Sequence, residues 1–408
     1  MKDLLKKLDQ VYQYAVRNED SDFYRNIYGH DRPERIATWE DWRRLPLLTK
    51  EHVAAVPFLK RLFTPYSEVG TVRVTSGTSG ARPLAYPRSV SSAFENHFDE
   101  THPTKCLLNF FAPHHLMQNT CREKGSDHIV IAGDLNDLSG SLTFALHVGL
   151  DHLMCTPSIL DALIPLLEEH RACPRIKRIE LAGETLTNAG IERLISTFPN
   201  AYLWSDYALT ESQGVVGVGP IIPGTGALYL PTEASHWELV GDENELVISH
   251  TWTEHNHFPL LRYRTGDRAE KTEYEDRKYY QILGRIDIDR IKLYGGELRT
   301  DMVDRAVYGL HPALDGDYEL HFVRKKVGER TLPDIEIKLT TRGDVDALGN
   351  LGDELAPLLA AKIRVAPDYT FADGVKDGHY LPLKCTVVSA ILGRSLKTKR
   401  FHIDDQPI

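Results

Sequence analysis

The sequence predicts an α/β protein: a large N-terminal domain of mixed sheets flanked by helices, followed by a small α+β C-terminal domain. Three observations predict it. The chain has 408 residues, beyond the size at which one hydrophobic core keeps growing. Between residues 129 and 204 short apolar runs alternate with helical patterns, the order that builds a parallel sheet with helices packed on it. From about residue 228 strands separated by Gly, Asp and Asn turns take over. Near residue 289 they give way to a βαβ-like set of about 120 residues, large enough for a small domain. The expected division is 1–288 and 289–408.

The elements follow in order. Leu4, Leu5, Leu8, Val11, Tyr12 and Ala15 recur at helical spacing and open the chain with an amphipathic helix. In Leu45-Pro46-Leu47-Leu48-Thr49-Lys50-Glu51 a turn is followed by Thr49 as the cap of another helix. Val72-Arg73-Val74 reads as the end of a strand. Ile129–Ala132, Ile179–Ala182 and Ala201–Trp204 read as strands, with Ile159–Leu167 and Ala189–Phe198 as helices between them. Glu238–Val240 and Glu245–Ile248 belong to an antiparallel subdomain. In the last unit, helices are expected over Leu298–Tyr308 and Val345–Ile363, and strands over Tyr318–Val323, Ile335–Leu339 and Cys385–Ser389. No internal repeat or low-complexity segment is visible.

Composition excludes several classes. A net charge of −10 with a pI near 6.0 argues against nucleic acid as a general partner, though a small anionic ligand feels only local charge. No apolar run reaches the ~18 residues of a membrane helix, and the opening residues lack a signal-peptide core, so a cytoplasmic protein with no membrane partner is expected. Cys106, Cys121, Cys155, Cys173 and Cys385 are odd in number and scattered, which fits reduced thiols better than disulfides or a zinc knuckle. His250, His255 and His257 invite a metal reading, but their spacing matches no defined metal-binding element, and solvated loop histidines are the expectation.

The chemistry centres on Val74–Pro83. Thr75, Ser76, Gly77, Thr78, Ser79 and Gly80 are only Ser, Thr or Gly. Two glycines let the backbone turn so that several N–H groups face one anion. The hydroxyls of Ser76, Thr78 and Ser79 add donors, and Arg82 adds a fixed charge suited to phosphate oxygens. The Gly-Lys-[Ser/Thr] ending of a Walker A loop is missing, and taken alone such a stretch is more often only a loop or linker. Four later stretches keep it company. Ala182-Gly183-Glu184 follows a strand, where ligands sit in open α/β sheets; a plain strand-to-helix turn is the alternative. Asp206-Tyr207-Ala208-Leu209-Thr210-Glu211 gathers an aromatic face, a hydroxyl and a carboxylate. Glu211 beside Thr210 suits Mg²⁺, which takes one or two carboxylates plus phosphate oxygens, unless these two merely cap a helix. In Tyr263-Arg264-Thr265-Gly266-Asp267, a carboxylate after a Gly turn can accept two ribose hydroxyls; a simple β-turn competes. The stretch from Leu283-Gly284-Arg285 to Gly295-Gly296-Glu297 ends the large unit.

These motifs, in this order, resemble the adenylate-forming superfamily of acyl-CoA ligases, adenylation domains and luciferases, and within it the phenylacetate–CoA ligase branch. The likeness runs from about residue 45 to 400 and includes Thr156-Pro157-Ser158 and Leu45-Pro46-Leu47-Leu48-Thr49-Lys50. It implies the fold of those enzymes, with a mobile C-terminal domain. Residues 75–80 then fall on the phosphate loop, Gly183 and Glu184 on the adenine-contacting turn, and Tyr207 on the residue that stacks on the base. Thr210 and Glu211 match the positions that meet phosphate and Mg²⁺, Asp267 the ribose-binding carboxylate, and Arg285 the arginine of the next motif. Asp289 fits the hinge, and Gly295 and Gly296 the pantetheine tunnel. Gly393–Arg400 resembles the segment whose lysine drives adenylation. Three departures stand out. The loop ends Gly80-Ala81-Arg82-Pro83 in place of Gly-Lys-Pro. An extra residue in Asp287-Ile288-Asp289 leaves Asp287 as a second hinge candidate. The C-terminal segment lacks the Gly directly before its lysine, so both Lys397 and Lys399 are candidate lysines, with the Lys-x-Lys-Arg spacing favouring Lys397.

The implied activity is ATP- and Mg²⁺-dependent conversion of a carboxylic acid, in this branch usually aryl or arylacetic, to an acyl-adenylate. The acyl group then passes to the thiol of coenzyme A, with AMP and pyrophosphate released. Delivery to a carrier-protein pantetheine or an amine, or a catalytically impaired nucleotide-binding relative, are the alternatives. The acid is expected between the Leu107–His115 segment, where Phe111 and His114 or His115 flank its carboxylate, and Ala182 and Tyr207. A homodimer is left open.

Overall fold

The computed structural model describes residues 2–69, 71–74, 84–88, 104–111, 129–184, 186, 188–286, 290–293, 296–328, 330–389 and 401–404. Its centre is an eight-stranded sheet. Cys106–Asn109, Ile129–Ala132, His152–Cys155, Arg178–Ala182 and Tyr202–Leu209 run parallel, and Gly214–Ile222 turns back antiparallel on the last of them. The interior strands His152–Cys155 and Cys106–Asn109 are buried along their whole length, as a sheet covered on both faces requires. Helices Leu138–Val148, Pro157–Glu169 and Asn188–Thr197 contribute Leu142, Leu160, Leu163, Ile164, Leu167, Ile191 and Leu194 to one core with the strands. Thr156 starts the second of these helices by accepting the Ile159 N–H at 3.3 Å, with Pro157 in its first turn, where the missing N–H costs nothing.

The first helix, Lys2–Arg17, buries Leu8, Val11, Tyr12 and Ala15. Their core also holds Phe258, Leu260, Leu261 and Tyr263 from the far side of the sequence. Thr49 caps Lys50–Ala54 in a reciprocal box with His52, as the sequence suggests. The antiparallel region is a four-stranded meander: Ser235–Val240, Glu245–His250, Tyr263–Tyr274 and Arg277–Arg285.

From Ile291 to Phe401 the buried apolar residues form a core of their own. Here Tyr318–Val327 and Arg330–Thr341 make a hairpin, extended by Lys384–Ser389 on one edge and Phe401–Asp404 on the other, both in parallel pairing. Two helix expectations need correction. Leu298 and Arg299 lie in a strand, Gly296–Arg299, paired to Arg290–Leu293, and the helix begins only at Thr300. The expected helix Val345–Ile363 is a short 3₁₀ turn, Asp346–Leu348, then Leu351–Lys362; Gly349, at φ +51°, separates them. Gly296 is packed so closely that a Cβ there would lie 2.0 Å from the Val365 carbonyl oxygen.

Among the described residues no helix is long and apolar enough to cross a membrane. Cys106, Cys155, Cys173 and Cys385 are free and buried.

Candidate active site

The carboxyl ends of the parallel strands carry several of the expected site residues. Gly183 and Glu184 leave Arg178–Ala182 just where Ala182 pairs with Asp206 of the next strand. The Glu184 carboxylate accepts the Ser158 backbone N–H at 3.0 Å and its hydroxyl at 2.5 Å. A charge there also suits a helix N-terminus. On the far side Phe111 follows the Cys106–Asn109 strand, its N–H held by Asn109 Oδ1 at 2.7 Å. It is half-buried.

Tyr207, Asp267 and Arg285 come together from three motifs. The Tyr207 hydroxyl donates to Asp267 Oδ2, and Arg285 Nε lies 3.3 Å from Asp267 Oδ1. Burial, and then the Asp267 charge, push the Tyr207 phenol well up, so it keeps its proton and donates. Burial opposes the Arg285 charge, but Asp267, Tyr207, Glu211 and Tyr263 offset this and raise it overall. The Tyr263–Asp267 stretch lies inside the strand Tyr263–Tyr274 and is no separate turn. The register against Glu245–His250 slips between Val247↔Arg264 and Glu245↔Arg268. This bulge accommodates Gly266, at φ +74°, where a side chain would be strained.

Thr210 and Glu211 cap no helix. They occupy the turn between the strands Tyr202–Leu209 and Gly214–Ile222. Glu211 is buried, accepts the Tyr263 hydroxyl at 3.1 Å and lies 3.9 Å from Lys50 Nζ. Lys50 arrives there because Leu48 adds itself to the edge of the Tyr263 strand: its N–H bonds Arg262 O and its carbonyl accepts Arg264 N–H, both at 2.9 Å. Neither Lys50 nor Tyr263 was assigned a site role from sequence. The signal for Lys50 was its place directly after the Thr49 cap; Tyr263 stands four residues before Asp267 and could have been flagged by its motif.

The structure therefore brings Tyr207, Asp267 and Arg285 into direct contact, with Glu211 in electrostatic reach of Arg285, and places Gly183, Ala182 and Asp206 on adjoining strand ends. Thr75, Ser76, Gly77, Thr78, Ser79, Gly80, Arg82, His114, His115, Asp287, Asp289, Gly295, Lys397 and Lys399 lie outside the described residues. Gly296 is described, and its nearest demand is the close backbone approach at Val365. The histidine expectation fails for two of the three. His250 and His257 are fully buried, His250 accepting the Leu260 N–H at 3.2 Å and the Asn256 amide at 3.0 Å through Nδ1; only His255 is exposed.

No family model matches the chain. Among curated proteins, an indoleacetate–lysine synthetase of Pseudomonas savastanoi is 24% identical over 277 residues, which cover 62% of this chain and 66%, just under two thirds, of that relative. Among solved structures, a 2-hydroxyisobutyryl-CoA ligase in its postadenylation state with 2-HIB-AMP superposes with a TM-score of 0.73. The identity is 18%, with 98% of this chain and 89% of the ligase covered. The same ligase in its thioesterification state gives 0.57. An acyl acid amido synthetase in complex with 2,4-DB gives 0.64 at 15% identity, covering 94% and 86% of the two chains. Strand order, the separate C-terminal core and these superpositions agree: the chain has the fold of the adenylate-forming enzymes.

Proposed function

We propose that this protein activates a small carboxylic acid with ATP and passes the acyl group to a second substrate. The acid's carboxylate oxygen attacks the α-phosphorus and pyrophosphate leaves; an acceptor thiol or amine then attacks the acyl carbonyl and AMP leaves. The observation that carries this reading is the contact of Asp267 with Arg285 and Tyr207, which come from distant motifs, at the strand ends where open α/β sheets bind ligands. An ionised carboxylate offers about four acceptor sites. In this reading Asp267, held by Tyr207 and Arg285, accepts the hydroxyls of the ribose.

The other roles follow from charge. Two anions must meet, so donors are needed where negative charge spreads in the transition state. In this reading the N–H groups and hydroxyls of residues 75–80, Arg82 and Lys397 supply them, and Lys50 balances Glu211. Thr210 and Glu211 are an all-oxygen pair that fits Mg²⁺. When bound, the ion would neutralise phosphate charge. The division into 1–288 and 289–408, with Asp289 as hinge and Gly295 and Gly296 beside the thiol path, is part of the same proposal. The separate core beginning at Ile291 supports it.

Coenzyme A is the first acceptor to test, supported by the likeness to a CoA ligase along 98% of the chain. An amine is the second, supported by the sequence match to a lysine-conjugating synthetase. A panel of carboxylic acids, aryl and arylacetic acids first, assayed by pyrophosphate release with CoA, with lysine and with neither, tests both. AMP formation stimulated by CoA supports the thiol route, and stimulation by lysine the amide route. No acid-dependent pyrophosphate with any member would contradict the activity.

A further inference from the structure

The outer face of the C-terminal sheet carries a cluster that acid activation does not use. In the strand Tyr318–Val327, Leu320 and Phe322 point into the core, so Glu319 and His321 alternate to the opposite face. The last described strand, Phe401–Asp404, runs parallel beside it with Leu320 opposite Phe401 and His321 opposite His402. Phe401 is fully buried and joins the core; His402 therefore joins Glu319 and His321. The two imidazoles stack with centroids 4.7 Å apart and planes 10° from parallel. His321 Nε2 lies 3.4 Å from Glu319 Oε2, and His402 Nε2 lies 3.8 Å from Glu319 Oε1. One ligand atom from each residue lies within 4.8 Å of the others.

These distances are close to those of a coordination shell. Ligand atoms at ~2.0–2.1 Å from a tetrahedral ion lie roughly 3.4 Å from one another; closure needs the two stacked rings to turn until both nitrogens face one ion. We infer that Glu319, His321 and His402 form a binding site for a divalent transition-metal ion of the Zn²⁺ type. Two imidazoles and one carboxylate suit zinc and its neighbours and do not suit Mg²⁺ or Ca²⁺, which take oxygen ligands. The side chains are 33, 20 and 39% exposed for His321, Glu319 and His402. One side thus stays open to a water as fourth ligand, as in three-ligand zinc sites. Glu336, across the hairpin from His321, is engaged by the Thr386 hydroxyl at 3.1 Å and is not required. A bound ion cross-links the edge strand to its neighbour, and that edge strand begins four residues after Lys397. The site stands independently of the acid-activating reading.

The test uses the full chain, freed of metal with a chelator and titrated with ZnCl₂ against a chromophoric competitor. One Zn²⁺ per chain is expected, with affinity reduced at least tenfold in His321→Ala and in His402→Ala. Zn²⁺ should raise the melting temperature of the native protein and not that of the double variant. Co²⁺ should give visible absorption bands that both variants lose. Glu319→Gln keeps the size of the side chain and removes its charge; it should weaken binding while circular dichroism stays native. The chain has eighteen histidines. Equal Zn²⁺ affinity and stoichiometry in native protein and double variant, or no saturable binding, would overturn the assignment.

Discussion

His250 carries no charge at neutral pH. Burial first, partly opposed by its bonds to Asn256 and the Ser212 backbone, lowers it to about 4, and burial lowers His236 and His257 as well. Each therefore titrates lower in the folded protein than in the unfolded chain, where the value is near 6.5. As pH falls below about 6.5 the unfolded chain takes up protons first, so the stability present above that pH is lost toward pH 4. One such residue contributes at most about 1.4 kcal/mol per pH unit. Melts at pH 7, 6 and 5 are expected to fall, and His250→Gln to fall less steeply; equal slopes would count against this. The sequence could not place His250, because its partner Asn256 is held by the Gln213 amide at 2.9 Å from 43 residues away. The same limit hid Lys50. Its neighbourhood depends on a strand more than 200 residues later, whereas Asp267 and Arg285, which the structure brings together, each sit in a compact motif that stands out in the sequence.

At the scale of elements, the strand Arg178–Ala182 holds a buried charge pair. Arg178 Nη2 lies 2.6 Å from Glu180 Oε1, with both side chains at most 3% exposed, and the Tyr202 and Trp204 rings flank the guanidinium at 5.9 and 5.6 Å. Removing one partner leaves a buried charge. Arg178→Ala should cost about 3–5 kcal/mol, measured by denaturant unfolding, and adding Glu180→Ala should recover part of that loss. A cost below about 1 kcal/mol would mean the pair carries no such charge. Elements with strong periodicity were readable: the first helix, the helix within Pro157–Glu169 and the strands between them. Leu298 was misread because its cross-strand partner Ile291 overrides local propensity. The helix before Leu351 was overextended because Gly349 takes a backbone conformation that ends the pattern.

Across the whole molecule, the C-terminal unit meets the parallel-sheet unit through polar contacts. The Tyr308 hydroxyl donates to Glu192, and Arg342 lies 4.0 Å from Asp161, which Arg193 also engages. Asp161 is raised, by burial first. Polar contacts of this kind hold an arrangement loosely. Arg342→Ala combined with Tyr308→Phe should enlarge the radius of gyration of the unliganded protein in small-angle scattering. An unchanged radius would show that these contacts do not hold the units in place. The order of motifs made the architecture legible, but these contacts between the units are encoded by no local pattern.

The reading as a whole requires residues from distant motifs to hold one nucleotide. Calorimetric titration of ATP into the full chain tests this most directly. One ATP per chain is expected, bound at least tenfold more weakly by Asp267→Asn, while an absence of saturable binding, or binding indifferent to Asp267, would contradict it.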